Sequence, residues 1–539
     1  MIRLTDIKLP LDHNEQALSH AIKEKLSIDD SELKDFTVFR RGYDARKKNA
    51  ILLIYTLDVE LAITPEQEQT LLTGFAKDPH VKPSPDTSYK YVGKAPEGLT
   101  ERPIVIGFGP CGLLAGLVLA QMGFKPIIVE RGKEVRERTK DTFGFWRKRE
   151  LNTESNVQYG EGGAGTFSDG KLYSQVKDPN HYGRKVMSEF VKAGAPEEIM
   201  YVSKPHIGTF KLVSMVEKMR AEIIELGGEI RFSTRVDEFL MNNGQMEGVV
   251  LNNGETLMSK HIVLAIGHSA RDTFQKIHDQ GIFVQAKPFS VGFRIEHKQS
   301  MIDEARFGDN AGNPILGAAD YKLVHHCKNG RSVYSFCMCP GGTVVAATSE
   351  ENRVVTNGMS QYSRNERNAN SAVVVGIDPE RDYPEHPLAG IDLQRQLESL
   401  AFELGGKDYN APAQTVGDFL KGNPASELGD VQPSFTPGIT LTDLSKALPE
   451  FAVEALREAI PAFNRKIKGF ASDDALLTGV ETRTSSPINI KRNKEFESIN
   501  TKGLYPAGEG AGYAGGILSA GIDGIKVAEA VAKSILSQQ

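Results

Sequence analysis

The fold of this chain is decided by residues 103–131, PIVIGFGPCGLLAGLVLAQMGFKPIIVER. The stretch begins with a short apolar strand, continues with three glycines at the spacing G-x-G-x-x-G, and then passes through an apolar helix into a second strand. Gly107 permits a tight turn, Gly109 lets backbone approach a pyrophosphate, and Gly112 lets the helix pack closely on the sheet. This pattern predicts a Rossmann-type βαβ unit that binds a dinucleotide.

The ends of this βαβ unit carry the other predicted nucleotide contacts. Pro110 and Cys111 lie at the start of the helix, where free N–H groups and a partial positive charge favour phosphate. The Cys111 side chain itself is expected to pack rather than to react. Glu130 follows the second strand, 18 positions after the last glycine, and can accept hydrogen bonds from both hydroxyls of an adenosine ribose. A carboxylate there disfavours a 2′-phosphate and argues against NADP; Arg131 is placed beside it.

Composition limits the class of protein. With 539 residues the chain is too long for one core, so two or three domains are expected. A net charge of −6 argues against nucleic acid or anionic membrane as the main partner. The four cysteines are too few for a disulfide framework, which favours a reducing compartment. We see neither an apolar leader nor a membrane-spanning run, and we predict a cytoplasmic protein.

The first 95 residues predict a small α+β domain of ferredoxin-like topology. Strand-like IRLTDIKL is followed by a helical pattern, two further strands joined by GYDARKKN, and a second helical stretch. A Pro-, Gly- and Lys-rich stretch over residues 82–103 is interpreted as a linker. The hairpin is basic, which indicates either a solvated tip or a docking site for RNA or a partner; its cations are Arg40, Arg41, Arg46, Lys47 and Lys48.

A second glycine-rich segment lies near the C-terminus, GLYPAGEGAGYAGGI at residues 503–517. A strand leads into it and a helix follows, so it resembles the second FAD fingerprint of the two-dinucleotide-binding-domain flavoproteins. That resemblance implies that Gly508 and Glu509 meet the ribityl chain, and that the helix beginning near Gly516 and Ile517 points at the flavin C2 carbonyl. Reduced flavin is negatively charged around N1 and O2, and a helix N-terminus stabilises such charge.

Two more segments fit the same superfamily. The loop YGEGGAGTFSDGKL, residues 159–172, resembles the glycine-rich loop near the pyrophosphate and flavin, which implies cofactor contacts for Gly163, Gly165 and Thr166. The pattern of residues 208–272 predicts a helix, then a strand, a series of hairpins and a buried strand. By resemblance Val236 meets adenine through its backbone, and Gly267 ends a strand that carries A-I-G where the superfamily has A-T-G.

The resemblance can be made narrower. The motifs GEGGAGTFSDGKL, FRIEH, FCMCPGG, NGMS and ETRTSSP are together similar to a widespread group of uncharacterised FAD-dependent dehydrogenases, over most of the chain. No second G-x-G-x-x-G unit follows, which disfavours the disulfide reductases. We therefore expect an α/β protein with one Rossmann-type FAD domain built from discontinuous segments, and an inserted α+β substrate domain. Its expected parts are residues 1–95 (N-terminal domain), 96–280 and 471–539 (FAD domain) and 281–470 (insert).

Four residues are candidates for chemistry beside a flavin. Arg294 could clamp a substrate carboxylate or form an ion pair that holds the insert together. Arg483 and Ser485 precede the return to the FAD domain, where they would line the substrate side of the flavin or form a polar turn. Lys171 could stabilise reduced flavin.

The remaining expectations concern thiols, partners and reaction class. Cys337 and Cys339 form C-x-C, for which packing on a strand is favoured over a redox dithiol; no metal site is predicted. The leading hypothesis is an FAD-dependent oxidoreductase that transfers a hydride between flavin N5 and an unidentified small organic molecule. NADH or NADPH remains open as a transient donor. The alternatives are a flavin monooxygenase and an RNA-binding or RNA-modifying flavoprotein. The sequence does not indicate the oligomeric state.

Overall fold

In the computed structural model the protein is described over residues 1–383, 385–425 and 427–539. The N-terminal part forms an antiparallel sheet of order β2-β3-β1-β4, the ferredoxin-like arrangement that the sequence predicts. Its two helices pack into the same apolar core, beneath the buried face of β3. One element was not foreseen: residues 81–83, assigned mainly to the linker, form strand β4 against β1. The bounds are β1 (Ile2–Pro10), α1 (Ala17–Leu26), β2 (Leu33–Asp44), β3 (Leu52–Leu61), α2 (Pro65–Gly74) and β4 (Val81–Pro83).

The chain then enters the predicted nucleotide-binding domain. Short apolar strands alternate with helices, and a small antiparallel sheet of three strands follows, as the sequence indicates. Short 3-10 turns occupy residues 164–167 and 197–200. The elements are β5 (Ile104–Ile106), α3 (Pro110–Gln121), β6 (Ile127–Val129), α4 (Val135–Lys148), α5 (Tyr182–Lys192), α6 (Thr209–Glu225), β7 (Glu229–Arg231), β8 (Val236–Asn242), β9 (Gln245–Leu251), β10 (Thr256–Met258), β11 (Ile262–Leu264) and α7 (Arg271–Asp279).

The inserted domain is built on a second, larger sheet. Its central strands β13 and β17 are buried on both faces, because helices cover them. Alternate residues of FRIEH in β13 therefore point to opposite faces of the sheet, but neither face is open to solvent. The elements are β12 (Gln285–Ala286), β13 (Phe289–Lys298), α8 (Gln299–Phe307), β14 (Val324–His326), β15 (Ser332–Ala346), β16 (Thr356–Met359), β17 (Asn368–Ile377), α9 (Pro379–Asp382), α10 (Ala389–Leu404), β18 (Ala411–Thr415), α11 (Val416–Lys421), β19 (Ile439–Leu441), α12 (Glu450–Asn464) and β20 (Leu476–Glu481).

The position of β20 corrects one expected boundary. The larger sheet has the order β14-β15-β17-β13-β20-β18-β19, with β16 paired to β15. Strand β20 thus lies inside the insert, and the chain returns to the nucleotide-binding domain after residue 481 rather than at 471. The last elements are β21 (Ile488–Asn489), which pairs with β12, then β22 (Leu504–Pro506) and α13 (Ile517–Ser537).

The returning segment completes a parallel sheet of order β22-β11-β5-β6-β7. Because the carboxyl ends of parallel strands meet at one edge, the loops after β5, β6, β11 and β22 converge there, and ligands of such sheets bind at that edge. Two segments about four hundred residues apart thereby come together. The discontinuous domain that the sequence predicts is confirmed by this pairing.

Helix α13 packs along α3 through close backbone contact. A Cβ atom on Gly524 would lie 2.3 Å from the carbonyl oxygen of Cys111, so only glycine permits this approach. Although α13 has 21 residues, it is not apolar enough to cross a bilayer, and neither is any other helix in the described ranges.

The basic hairpin of the N-terminal domain lies against the rest of the chain. The Arg41 backbone N–H donates to Tyr201 O at 2.7 Å, and its carbonyl accepts from Ser203 N at 2.9 Å. Farther along, Asn310 Nδ2 donates to Lys48 O at 2.8 Å. The hairpin backbone therefore contacts the rest of the chain, whereas four of its five cations are exposed, namely Arg40, Arg46, Lys47 and Lys48.

Candidate FAD site

The turn after β5 needs its glycines for steric reasons. Gly107 has φ +100°, and a Cβ there would lie 2.0 Å from the carbonyl oxygen of Ala265. A Cβ on Gly112 would lie 2.0 Å from the carbonyl oxygen of Gly107. These approaches bring the start of α3 flush against the ends of β5 and β11. The crevice at this edge of the sheet is therefore shaped by backbone.

The loop over residues 159–172 closes one side of the crevice. A Cβ on Gly163, at φ +68°, would lie 2.8 Å from Gly109 Cα. A Cβ on Gly165 would lie 2.9 Å from Cγ1 of Ile517, the first residue of α13. The loop thus contacts both glycine-rich segments, and the structure brings these predicted cofactor residues together.

Arg138 holds that loop in place, and the sequence reasoning missed it. Its side chain is fully buried and donates to the carbonyl oxygens of Val157 at 2.7 Å, and of Asn156 and Glu161 at 2.8 Å. It also reaches Thr166 Oγ1 at 3.3 Å, so the Thr166 hydroxyl is used within the protein. Burial lowers the pKa of Arg138 to about 10. The available signal was an arginine on the otherwise buried stripe of α4.

Glu130 lies at the predicted edge but has several protein partners. Its carboxylate accepts from the backbone N–H groups of Phe108 and Gly132, both at 2.9 Å, and of Gly160 at 3.1 Å. These bonds tie the turn after β5 to the loop after α4. Contact between Glu130 and a ribose stays a prediction, for which Oε2 keeps one lone pair because it accepts only the bond from Phe108.

Arg131 has a different environment from the one expected. It pairs with Glu154 at 2.9 Å and with Asp272 at 2.8 Å, and its guanidinium stacks on the Tyr159 ring at 4.0 Å from the centroid. The structure therefore uses it as a tie between three segments. Contact with the nucleotide is left without support.

Two helix N-termini open at this edge. Gly109 and Gly516 are the N-cap residues of α3 and α13, and neither helix start is capped by a side chain from the described part of the chain. Gly515 and Gly516 are exposed, and a Cβ added to either would meet nothing within 4 Å. Uncapped N–H groups with open space before them suit the phosphates and the electron-rich end of a flavin.

Glu509 faces this space without a partner. Its carboxylate makes no hydrogen bond with the residues that the structure describes, and burial raises its pKa to about 7, opposed by Lys287. Lys287 Nζ lies 3.5 Å from Ser485 Oγ, and burial lowers the pKa of this lysine. The structure thus joins two predicted residues, Ser485 and Glu509, through a lysine that sequence reasoning missed. The only sequence feature that could have indicated Lys287 is weak: it is a single cation shortly before strand β13.

Gly267 and Val236 have contrasting positions. Gly267 is exposed at φ +72°, and a Cβ on Gly510 would lie 2.2 Å from its carbonyl oxygen, so the end of β11 borders the second glycine-rich segment. Val236 begins β8 with its side chain in an apolar core. Its backbone contact with adenine stays a prediction.

Two arginines proposed for catalysis have structural roles instead. Arg294 is fully buried, pairs with Glu481 at 2.7 Å and donates to Cys337 O at 2.9 Å. Arg483 is buried against Glu398 at 2.9 Å and donates to Ser349 Oγ at 2.7 Å. Because their guanidinium groups are engaged by the protein, neither is available to clamp a substrate. For Arg294 this is the ion-pair alternative given above, and its partner is Glu481 on strand β20.

Lys171, at the end of the loop over residues 159–172, contacts the C-x-C segment of strand β15 in the insert. Lys171 donates to the carbonyl oxygen of Met338, between the two cysteines, and Asp169 raises its pKa against the opposing effect of burial. Cys337 is exposed, while Cys339 is buried with its Sγ 3.3 Å from Cys337 O. Burial raises the pKa of Cys339, which disfavours the thiolate that disulfide chemistry requires.

The residues present fit an extended dinucleotide. Glycine backbone forms the crevice, two uncapped helices open into it, and the carboxylate of Glu509 is left free for a ribityl hydroxyl. This fold and site define an FAD-binding flavoprotein. Residues 288–484 match the family described as "FAD-dependent protein, C-terminal domain-like", and residues 1–60 match a domain of unknown function, DUF8436.

A full-length relative shows the family. A protein from Clostridium beijerinckii, described as an uncharacterized protein, is 46% identical over 529 residues, which is 98% of both chains. The chain belongs to the family of this relative, an uncharacterised family of FAD-dependent proteins, as the sequence motifs predict. FAD is its cofactor.

Three solved structures are examples of remote similarity. Glycine oxidase from Bacillus cereus is 12% identical, with 82% of this chain and 96% of that chain covered and a TM-score of 0.35. The halogenase PltM is 11% identical, with 81% and 70% covered and a TM-score of 0.37. A flavocytochrome c3 fumarate reductase is 11% identical, with 87% and 81% covered and a TM-score of 0.35. Likeness at this level assigns no residue role in the present chain.

Proposed function

We propose that this protein is an FAD-dependent oxidoreductase that transfers a hydride between an organic substrate and flavin N5. The observation that carries the proposal is the junction of the two glycine-rich segments, where α13 begins without a side-chain cap and the carboxylate of Glu509 interacts with the charge of Lys287. When bound, FAD supplies the two-electron chemistry, and the protein supplies orientation, proton transfer and exclusion of water.

The chain's own residues have distinct tasks in this proposal. The N-terminus of α13 stabilises negative charge at the crevice, because its first N–H groups are uncapped. Lys287 adds a positive charge there and can hold or deliver a proton at Nζ, which burial makes more acidic than usual. Ser485 Oγ, 3.5 Å away, orients that ammonium group. The Glu509 carboxylate accepts a hydrogen bond from a hydroxyl of the ribityl chain.

The charge at the site favours a substrate that carries or develops negative charge. Within the described residues, neither Lys171 nor Lys287 has a carboxylate oxygen within 4.0 Å, whereas the buried arginines nearby are all paired. Lys287 is partly desolvated and makes no ion pair within 4.0 Å among the described residues, so it can bind an acidic substrate or an enolate-like product.

The test starts with the purified protein. An absorbance scan should show bound flavin, and anaerobic mixing with NADH, NADPH and a panel of small carboxylic acids should bleach it with at least one reductant. Each compound that bleaches the flavin then defines the reductive half-reaction. A protein that is colourless and stays so with added FAD would overturn the proposal, as would flavin that none of these two-electron donors can reduce.

Reoxidation separates the dehydrogenase from the monooxygenase alternative. Reduced protein mixed rapidly with O₂ should return to the oxidised spectrum in one step. A transient absorbance distinct from both end states, coupled to a hydroxylated product, would favour the monooxygenase. The RNA-binding alternative rests on the basic hairpin alone and is opposed by the net charge of −6, so it is not carried further.

A further inference from the structure

Three different metal-ligating side chains meet at the edge of the inserted sheet, remote in sequence from every FAD segment. They are His325 and Cys327, two positions apart at the end of edge strand β14, and Glu458 on α12. One imidazole nitrogen, the thiol sulfur and one carboxylate oxygen all lie within 4.8 Å of one another. From this convergence we propose that His325, Cys327 and Glu458 bind one Zn²⁺ ion, which joins β14 to α12.

The donor set selects the metal. Nitrogen, sulfur and oxygen ligands together are typical of tetrahedral Zn²⁺, whereas Ca²⁺ and Mg²⁺ take oxygen ligands. His325 Nε2 lies 3.0 Å from Glu458 Oε1, a spacing that two ligands of one small ion can adopt without moving the backbone. Three protein ligands leave the fourth position for water or for another carboxylate.

The surroundings support a built site rather than a chance ion pair. The Lys328 backbone N–H donates to both oxygens of Glu458, at 3.1 and 3.3 Å, and so fixes the carboxylate. Cys327 is buried, and its S–H donates to Ala455 O on α12 at 3.5 Å; metal binding would displace that proton and so replace this hydrogen bond. Glu454 is one helical turn before Glu458, and its charge acts on Cys327, so it is the candidate for the fourth ligand. Such supporting contacts orient metal ligands in known sites.

The role of the ion would be structural. Strand β14 pairs only with β15 in the described sheet, so its outer edge depends on contacts with α12. A metal bridging strand and helix would stabilise this edge in proportion to its binding affinity. The site does not depend on the proposed hydride transfer, and its failure would leave that proposal unchanged.

Metal binding can be measured on the untagged, FAD-loaded protein. After treatment with a chelator and its removal, the protein is titrated with Zn²⁺ in competition with a chromophoric chelator, and with Co²⁺ while absorbance is followed beyond the flavin bands. We expect one equivalent per chain, tetrahedral Co²⁺ bands, and a higher unfolding temperature with Zn²⁺. These should be lost in Cys327→Ser and in Glu458→Gln.

Two variants serve as controls, and both should retain the site. His326→Ala removes a neighbouring imidazole that bonds Ser332 instead, and Cys337→Ser removes an exposed thiol elsewhere. If Cys327→Ser loses its FAD and cannot be interpreted, Glu458→Gln decides, because it keeps the side-chain shape and lies partly at the surface. Absence of a one-equivalent site, or binding unchanged in Glu458→Gln, would overturn the proposal.

Discussion

Gly508 touches Cys111, although 396 residues separate them along the chain: a Cβ on Gly508 would lie 2.9 Å from Cβ of Cys111. Gly508 also has φ +72°, and its backbone N–H donates to Asp523 Oδ2 at 2.8 Å. This contact fixes the distance between the two halves of the FAD crevice. It also offers a direct way to perturb the crevice without changing any charge.

Gly508→Ala should weaken FAD binding. The added methyl group must push Cys111 away, and the left-handed backbone costs about 1–2 kcal/mol for a residue with Cβ. Gly254→Ala is the matched control, since it has φ +84° but meets nothing within 4 Å. FAD affinity measured by fluorescence on the apoprotein should fall for the first variant and not for the second. Equal affinities would show that the junction is not part of the cofactor site.

Arg138→Met should destabilise the protein and release FAD. Each buried carbonyl left without a donor costs about 1–3 kcal/mol, and Arg138 serves at least three. The comparison is Arg136→Met on the same helix, whose side chain is 65% exposed and pairs with Glu217. Thermal unfolding and the ratio of flavin to protein absorbance should both fall only for Arg138→Met. A variant that keeps its flavin ratio would show that the loop does not need this clamp.

Glu161→Gln should change how stability depends on pH. Burial raises the pKa of Glu161 to about 7, although Val135 N and Arg220 donate to it; Glu134 and Glu217 add negative charge, and Arg138 lies close by. The folded state therefore holds this proton more tightly than the unfolded chain, so its contribution to stability is full below pH 4.5 and is lost as pH rises towards 7.

Glutamine cannot titrate, so the free energy of unfolding of Glu161→Gln relative to wild type should rise by about 2–3 kcal/mol from pH 5 to pH 8. Unfolding temperatures at the two pH values measure this difference. Glu137→Gln, at a largely exposed position of α4, should show no such change. An offset that is the same at both pH values would contradict the raised pKa.

Glu398→Gln should unfold the junction between the insert and the FAD domain. Glu398 is fully buried and accepts from Arg271 at 2.7 Å and from Arg483 at 2.9 Å, and these charges lower its pKa well below the usual range against the effect of burial. Removing the carboxylate leaves Arg483 without its counter-ion and Arg271 with Glu350 as its only remaining ion-pair partner among the described residues, at a cost of about 3–5 kcal/mol. Urea unfolding should show this loss as a lower free energy of unfolding. The control is Glu403→Gln at an exposed position of α10, which should leave that free energy unchanged. If the two variants unfold alike, the network is not structural.

Lys287→Met should leave FAD bound but make the flavin midpoint potential more negative. Loss of the cation that interacts with Glu509 disfavours the reduced cofactor, which carries the extra negative charge. Spectroelectrochemical titration measures the potential without knowledge of the substrate. Lys276→Met, on the surface of α7, is the control and should leave the potential unchanged. An unchanged potential in both would remove Lys287 from the proposed site.

Local patterns predicted the elements that local physics determines. The spacing of Gly107, Gly109 and Gly112 between two apolar strands is compatible with a tight turn from a strand into a helix. The βαβ unit and the position of its turn at the sheet edge could therefore be predicted from the sequence. Strand β4 was missed because three residues ending in Lys-Pro lack any periodicity. The boundary after residue 481 was missed because a strand buried on both faces has the same apolar pattern in either domain.

From the sequence alone, glycine spacing predicted a dinucleotide crevice, because only glycine permits such close backbone approach, and the resemblance of residues 503–517 to a flavoprotein fingerprint predicted that the dinucleotide is FAD. Tertiary structure alone decided which charges remain free. Arg294 and Arg483 find Glu481 and Glu398, 187 and 85 residues away, whereas Lys287 and Glu509 are left facing the crevice. Charge pairing acts through space, and no local pattern specifies which distant carboxylate the fold will bring to an arginine.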